Sequence, residues 1–161
     1  MKKLFYILAM SLAVYACSTM SKAEREVRDA KVAAFVEKAL ELREYTIDVD
    51  RAYPNGGRTM NLSAGYYFKV KNNTVESYMP YFGRAFGVPY GGGKGLDFTA
   101  PIKSYNATAE KNGGQKITIE VDNDEDSYSF ELEIFENGRT SIYVSPVKRE
   151  PINFSGWVKV E

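Results

Sequence analysis

A period of two, repeated along most of the chain, constrains its fold more than any other feature. Tyr45, Ile47 and Val49 alternate with Thr46, Asp48 and Asp50, and Tyr66, Phe68 and Val70 alternate with Tyr67, Lys69 and Lys71. Further on, Ile117, Ile119 and Val121 flank Thr118 and Glu120, and Tyr128, Phe130, Leu132 and Ile134 alternate with Ser129, Glu131 and Glu133. At the end, Ile152, Phe154, Val158 and Val160 share a face opposite Asn153, Ser155 and Lys159. Successive side chains of a strand point to opposite faces, so such runs predict antiparallel strands with one dry and one wet face. Turn formers separate them: Pro54-Asn55-Gly56-Gly57, Asn72-Asn73, Asn112-Gly113-Gly114, Asp122 to Asp126, and Asn137-Gly138. The Asn-Gly pair suits a tight hairpin with positive φ at both central positions. A meander of about eight or nine strands is long enough to curl on itself and limit its exposed edges.

The stretch before the first strand has a different period. Ser21 with Glu24 has capping-box spacing, and Val32, Phe35, Val36, Ala39 and Leu42 recur at helical intervals. Lys31, Glu37, Lys38 and Glu41 fill the other face. This predicts one amphipathic helix over residues 22–43, its stripe packed on the sheet. The polar face mixes both charge signs, which argues against a helix lying on a membrane. The expected fold class is therefore mainly β (α+β). An N-terminal helix leads into a strongly curved antiparallel meander or partly open β-barrel.

The first residues read as an address. Lys2 and Lys3 precede a short apolar run, Leu4 to Ala16, and Cys17 follows a small residue. This predicts a signal peptide over 1–16 and a lipidated Cys17 followed by a short tether to residue 21. A single domain then spans 22–161. Val14-x-Ala16 also suits an ordinary signal peptidase, with Tyr15 bulky for a lipobox. Thirteen apolar residues are too few for an uncleaved anchor, because about 20 are needed to span. Cys17 is the single cysteine of the chain. In an oxidising compartment it has no disulfide partner, and lipidation accounts for it. The expected location is the bacterial cell envelope, on the outer membrane facing the periplasm or the surface, with the membrane as partner through Cys17.

Composition removes several function classes. The loss of Lys2 and Lys3 with the signal leaves 19 basic against 21 acidic side chains, so nucleic acid is not an expected partner. The chain has no histidine, which takes away the commonest general base, the commonest metal ligand and every Ser-His arrangement. No catalytic residues, metal ligands or cofactors are expected, and the chain reads as a non-enzyme. A hydrolase built on two carboxylates is the residual enzymatic reading.

The segment from Tyr78 to Phe98 breaks the two-residue period and is dense in aromatics, prolines and glycines. One reading makes it a lid or wall over a cavity, with Tyr78, Tyr81, Phe82, Phe86 and Tyr90 offering rings to a small flat or apolar ligand and Arg84 or Lys94 taking an anionic group. The other makes it a crossover that plugs the open side of the sheet with its own rings. Its glycines do not form a phosphate loop, since Val88 and Gly95 stand where that motif needs Gly and Ser or Thr. Asp122, Asp124 and Asp126 alternate like calcium ligands, but Ser127 replaces the required Gly and strands flank them. A solvated hairpin tip is the expectation there, with weak calcium binding left open.

The Tyr53-Pro54-Asn55-Gly56 turn and the Ser77-Tyr78-Met79-Pro80-Tyr81-Phe82-Gly83-Arg84-Ala85 run carry a resemblance, together with Pro89 to Gly93 and the closing Ile152 to Trp157. They resemble an uncharacterised bacterial envelope lipoprotein family catalogued as domain of unknown function 4251. The resemblance implies a secreted or lipid-anchored, β-rich domain and supplies no catalytic residues. The expected function is that of a lipid-anchored envelope protein binding a small apolar or aromatic-compatible ligand. A structural or protein–protein interaction module is the alternative.

Overall fold

A computed structural model describes residues 22–86, 94–111 and 113–160. The signal peptide, Cys17, the tether and Tyr90 lie outside these residues. The chain divides into two compact units, Met1–Lys31 and Val32–Glu161, and helix α1 (Lys22–Leu42) runs across the division. Among the described residues, no helix is long and apolar enough to cross a membrane.

The second unit is built from nine strands: β1 (Tyr45–Pro54), β2 (Met60–Asn61), β3 (Tyr67–Lys71), β4 (Thr74–Met79), β5 (Leu96–Ala109), β6 (Gln115–Asp122), β7 (Ser127–Ile134), β8 (Arg139–Pro146) and β9 (Ile152–Val158). Each of β3 to β9 pairs with its sequence neighbour, and β1 pairs with both β3 and β9. Eight strands therefore close into an antiparallel barrel, and β2 adds a short ninth strand beside Arg51 and Ala52 of β1. The expected N-terminal helix and strongly curved antiparallel meander of eight or nine strands are present, and the barrel they form is closed rather than partly open. The reason is the length of β1: one edge pairs with β3 and then β2, while the other runs along β9 from Ile47↔Val158 to Pro54↔Ile152. A register shift between Val49 and Arg51 bends β1 through the seam.

The alternating apolar residues point inward as their period requires. Ile47, Phe68, Leu96, Ile117, Ile119, Phe130, Leu132, Ile142, Ile152 and Phe154 are buried, and Phe68 and Phe130 pack with ring centroids 4.8 Å apart. An eight-stranded barrel is just wide enough for side chains to fill, and these fill it. Val160 is the exception to its predicted face and is exposed beyond the end of β9.

Helix α1 contributes Val36, Ala39 and Leu40 to the same apolar cluster, with Val32 and Phe35 packed beside them. Leu42, assigned to the buried stripe by its spacing, is 60% exposed. The helix ends one residue earlier than expected in a Schellman motif. The Glu44 N–H donates to Ala39 O at 3.0 Å and the Arg43 N–H to Leu40 O at 3.1 Å, with Arg43 at φ 53°. This reversal turns Leu42 outward. A non-glycine residue in the left-handed region costs about 1–2 kcal/mol. The Arg43 guanidinium, 4.5 Å from the Tyr105 ring centroid, offsets part of it.

The turns follow their residues with one correction. Asn72 and Asn73 take positive φ together, whereas at Asn137-Gly138 Gly138 alone does, at φ 83°. The connection is a four-residue loop in which Gly138 N–H bonds to Phe135 O at 2.8 Å and Asn137 Oδ1 accepts from Arg139 N. The longer loop needs one left-handed residue rather than two. The Asp122 to Asp126 tip also differs from a fully solvated one. Asp126 is buried, its carboxylate accepting backbone N–H groups of Ser127, Val147 and Lys148, and Asp122 pairs with Lys103.

Candidate functional site

The segment singled out for its aromatics is shorter than its broken period suggests, because Tyr78 and Met79 end β4 and Leu96 begins β5. Residues 81–86 pair with the β8–β9 connection. Ala85 bridges Arg149, Glu150 N–H donates to Arg84 O at 3.0 Å and Phe86 N–H donates to Lys148 O at 2.8 Å. The Tyr81 hydroxyl donates between the carbonyls of Arg84 and Glu150, each 2.9 Å away. Burial, reinforced by the Glu150 charge, pushes its pKa above the ordinary tyrosine value.

Beneath Tyr81 lies a buried arginine. The Arg149 side chain is 1% exposed, with Glu125 Oε2 at 3.1 Å and its guanidinium 5.7 Å from the Tyr81 ring centroid. It also donates to Gly95 O at 2.9 Å and to the Tyr128 hydroxyl at 3.3 Å. Its Nε is buried without a hydrogen-bond partner among the described residues. Tyr128 in turn stacks on Phe98 at 4.7 Å. This network ties four separate stretches of chain across one end of the barrel.

Of the six residues proposed for a ligand, the five described ones occupy different surroundings. Tyr81 and half-buried Phe82 pack against the core, and Arg84 and Phe86 are exposed. Tyr78 points from the outer face of β4, 43% exposed and stacked on Tyr66 at 5.4 Å. Tyr90 lies outside the described residues. None of the five lines either of the two cavities described next.

The cavities formed by described residues lie elsewhere. One of about 260 Å³ lies between the C-terminal half of α1 and the β5–β6 end, with Val36 and Leu40 facing Glu37, Glu110 and Glu136. A larger groove of about 580 Å³ runs over the outer wall of β8, β9 and β1. It is lined by Phe135 and Asn137 from the turn, Arg139 and Ser141 from β8, Asn153 and Ser155 from β9, and Tyr53 from β1. The wet half of the two-residue period supplies these groups, and the register sets them side by side: Ser141 opposite Ser155, and Asn153 opposite Tyr53.

A chain of hydroxyls orients the floor of this groove. Ser155 Oγ donates to Asp50 Oδ1 at 3.1 Å, so the Tyr53 hydroxyl, 3.2 Å from Ser155 Oγ, donates to it. The lone pairs of Tyr53 Oη then remain available to a ligand donor. Arg139 has no ion-pair partner among the described residues, and no carboxylate lines the groove. Trp157, the cross-strand partner of Arg139, stands beside it 48% exposed. The sequence marks none of these as a binding residue. The alternation marks them as wet, but their convergence depends on β1 meeting β9, about a hundred residues apart.

Among the described residues, no group of three or more acidic or cysteine side chains is placed to hold a metal ion. The sequence profile of the family described as Domain of unknown function (DUF4251) matches residues 27–158. A crystal structure of a DUF4251 family protein from Bacteroides eggerthii DSM 20697 is similar, with a TM-score of 0.63 at 14% identity. The similarity covers 82% of this chain and 89% of that one, and at this identity it concerns the fold alone. No curated protein matches the chain.

Proposed function

This chain belongs to the DUF4251 family, and on that premise we propose that it is a lipid-anchored, non-enzymatic binding domain of the bacterial cell envelope. It takes its ligand on the outer wall of the barrel. The observation that carries this reading is the contrast between the two sides of the wall. The interior is occupied by the chain's own buried rings and aliphatic groups, whereas the 580 Å³ groove outside presents hydroxyls, amides and a guanidinium with no ion-pair partner among the described residues. The apolar-ligand reading is weakened by Tyr81 and Phe82, which are engaged in closing the barrel. The envelope address rests on the signal-peptide pattern before Cys17, and the non-enzymatic reading on the absence of histidine.

The test is a photo-reactive side chain installed at Ser141, in the groove, or at Thr118, on the wall of β6, followed by irradiation of intact cells. Adducts at Ser141 and none at Thr118 are the expected result. Equal labelling at both positions, or none at Ser141, overturns the binding site. Cys17→Ala is expected to move the protein from the membrane pellet to the soluble envelope fraction, and retention in the pellet refutes the anchor.

A further inference from the structure

We propose that the outer groove of β8, β9 and β1 binds a carboxylate-bearing glycan, with Arg139 taking the acid group and Tyr53, Asn137, Ser141, Asn153 and Ser155 taking the ring hydroxyls. This deepens, and rests on, the reading of the groove as the binding face.

Three observations fix the ligand class. The first is charge. A chain with 21 basic and 21 acidic side chains has gathered one guanidinium and no carboxylate on the lining of this groove. The carboxylate of Asp50 lies behind Ser155 and accepts that residue's hydroxyl hydrogen, which keeps the Ser155 oxygen turned toward Tyr53. An arginine without an ion-pair partner among the described residues matches the two oxygens of a carboxylate in a planar fork.

The second observation is the mixture of polar groups. Asn153 and Ser141 can both donate and accept, Asn137 keeps its amide hydrogens while its Oδ1 accepts the Arg139 N–H, and Ser155 Oγ and Tyr53 Oη are left as acceptors. A ligand that answers such a lining carries closely spaced hydroxyls that also do both. A purely anionic group would use Arg139 and leave the amides and hydroxyls to water. An apolar ligand would bury nearly all of them unpaired, at a desolvation cost for each. The half-buried Phe135 ring and the half-exposed indole of Trp157 beside Arg139 offer flat surfaces for the C–H face of a sugar ring.

The third observation excludes an extended peptide as the natural occupant. Peptides that add to sheets draw affinity from main-chain hydrogen bonds along an open edge. Here β8, β9 and β1 are paired on both sides through the closed barrel, so the groove floor has no free edge to extend. Recognition there falls to side chains, as it does for a ring of hydroxyls.

The experiment is titration calorimetry on the full-length protein in detergent, with trigalacturonate, a hyaluronan tetrasaccharide and 3′-sialyllactose as acidic probes and maltotriose as the neutral one. Saturable binding of at least one acidic probe is expected, at least tenfold tighter than maltotriose. Arg139→Ala is expected to abolish that preference, and Asn153→Ala to weaken acidic probes and maltotriose alike. Both positions are exposed, so their melting temperatures should match the parent and separate lost binding from lost fold. Binding of none of the acidic probes, equal binding of maltotriose, or an Arg139→Ala variant that keeps its preference overturns the glycan assignment. Adducts at Ser141 in cells alongside such a failure leave the groove as a binding face for another ligand. Failure of both removes the face itself.

Discussion

Gly156 holds the barrel shut, and Gly156→Ala measures how tightly. A methyl group built there overlaps the carbonyl oxygen of Asp48 and lies 3.0 Å from its carbon and 3.1 Å from Val49 Cα. These are backbone atoms of the neighbouring strand and have no rotamer through which to retreat. Relief comes from separating β1 from β9 along the seam whose seven register pairs close the sheet. Overpacking of this kind costs about 1–3 kcal/mol. Each ladder hydrogen bond lost on either side of the contact adds about 1 kcal/mol. Two such bonds bring the loss to about 3–5 kcal/mol, a large share of the roughly 5–15 kcal/mol by which a domain is stable. At about 2–4 °C per kcal/mol for a chain of this size, the melting temperature should fall by about 6–20 °C. Thermal unfolding followed by circular dichroism reads the change directly. Gly56→Ala is the control: nothing lies within 4 Å of its added methyl, and its φ of +74° leaves only the left-handed backbone cost of about 1–2 kcal/mol. A Gly156→Ala variant that melts within 2 °C of the parent, or no lower than Gly56→Ala, would refute the tight seam.

Arg149→Ala should lower stability by about 3 kcal/mol in urea unfolding, because it strands Glu125 and opens the barrel end. An unchanged urea midpoint would mean that the buried pair contributes nothing to closure. Tyr81→Phe should cost about 1–1.5 kcal/mol by removing the donor shared between Arg84 O and Glu150 O. Urea unfolding checks this too, and a more stable variant contradicts it. Burial raises the pKa of Tyr45, Tyr81, Tyr105 and Tyr128 above the ordinary value of 10.0. The unfolded chain therefore releases these protons first. Stability should be complete below about pH 10 and fall as pH rises through the folded values. A melting temperature that stays flat from pH 9 to pH 11.5 would contradict that burial.

The two halves of the site problem were not equally legible in the residues. A segment dense in aromatics draws attention to itself, yet Tyr81 and Phe82 serve the barrel's own closure, and Tyr78 faces outward because it occupies a wet position of β4. Asp126, read as part of a solvated tip, is buried because three backbone donors converge on its carboxylate. Arg149 gave no signal as a core residue, since charge normally stays in water unless several acceptors surround it. Those acceptors come from Gly95, Glu125 and Tyr128, far apart in sequence.

By itself the sequence determined what depends on near neighbours. Side-chain alternation fixes which face of each strand is dry, and the turn residues fix where strands end. Helical spacing marks α1. Each of these is a property of a few consecutive residues, because backbone geometry sets their periods. Tertiary structure decided what depends on meeting at a distance: closure of β1 on β9, the exposure of Leu42, the burial of Arg149 and the groove between Tyr53 and Arg139. The length of β1, its shift after Val49 and the missing side chain at Gly156 make that closure possible. A wet residue acquires a neighbour across a seam only when the whole sheet has curved far enough to form one.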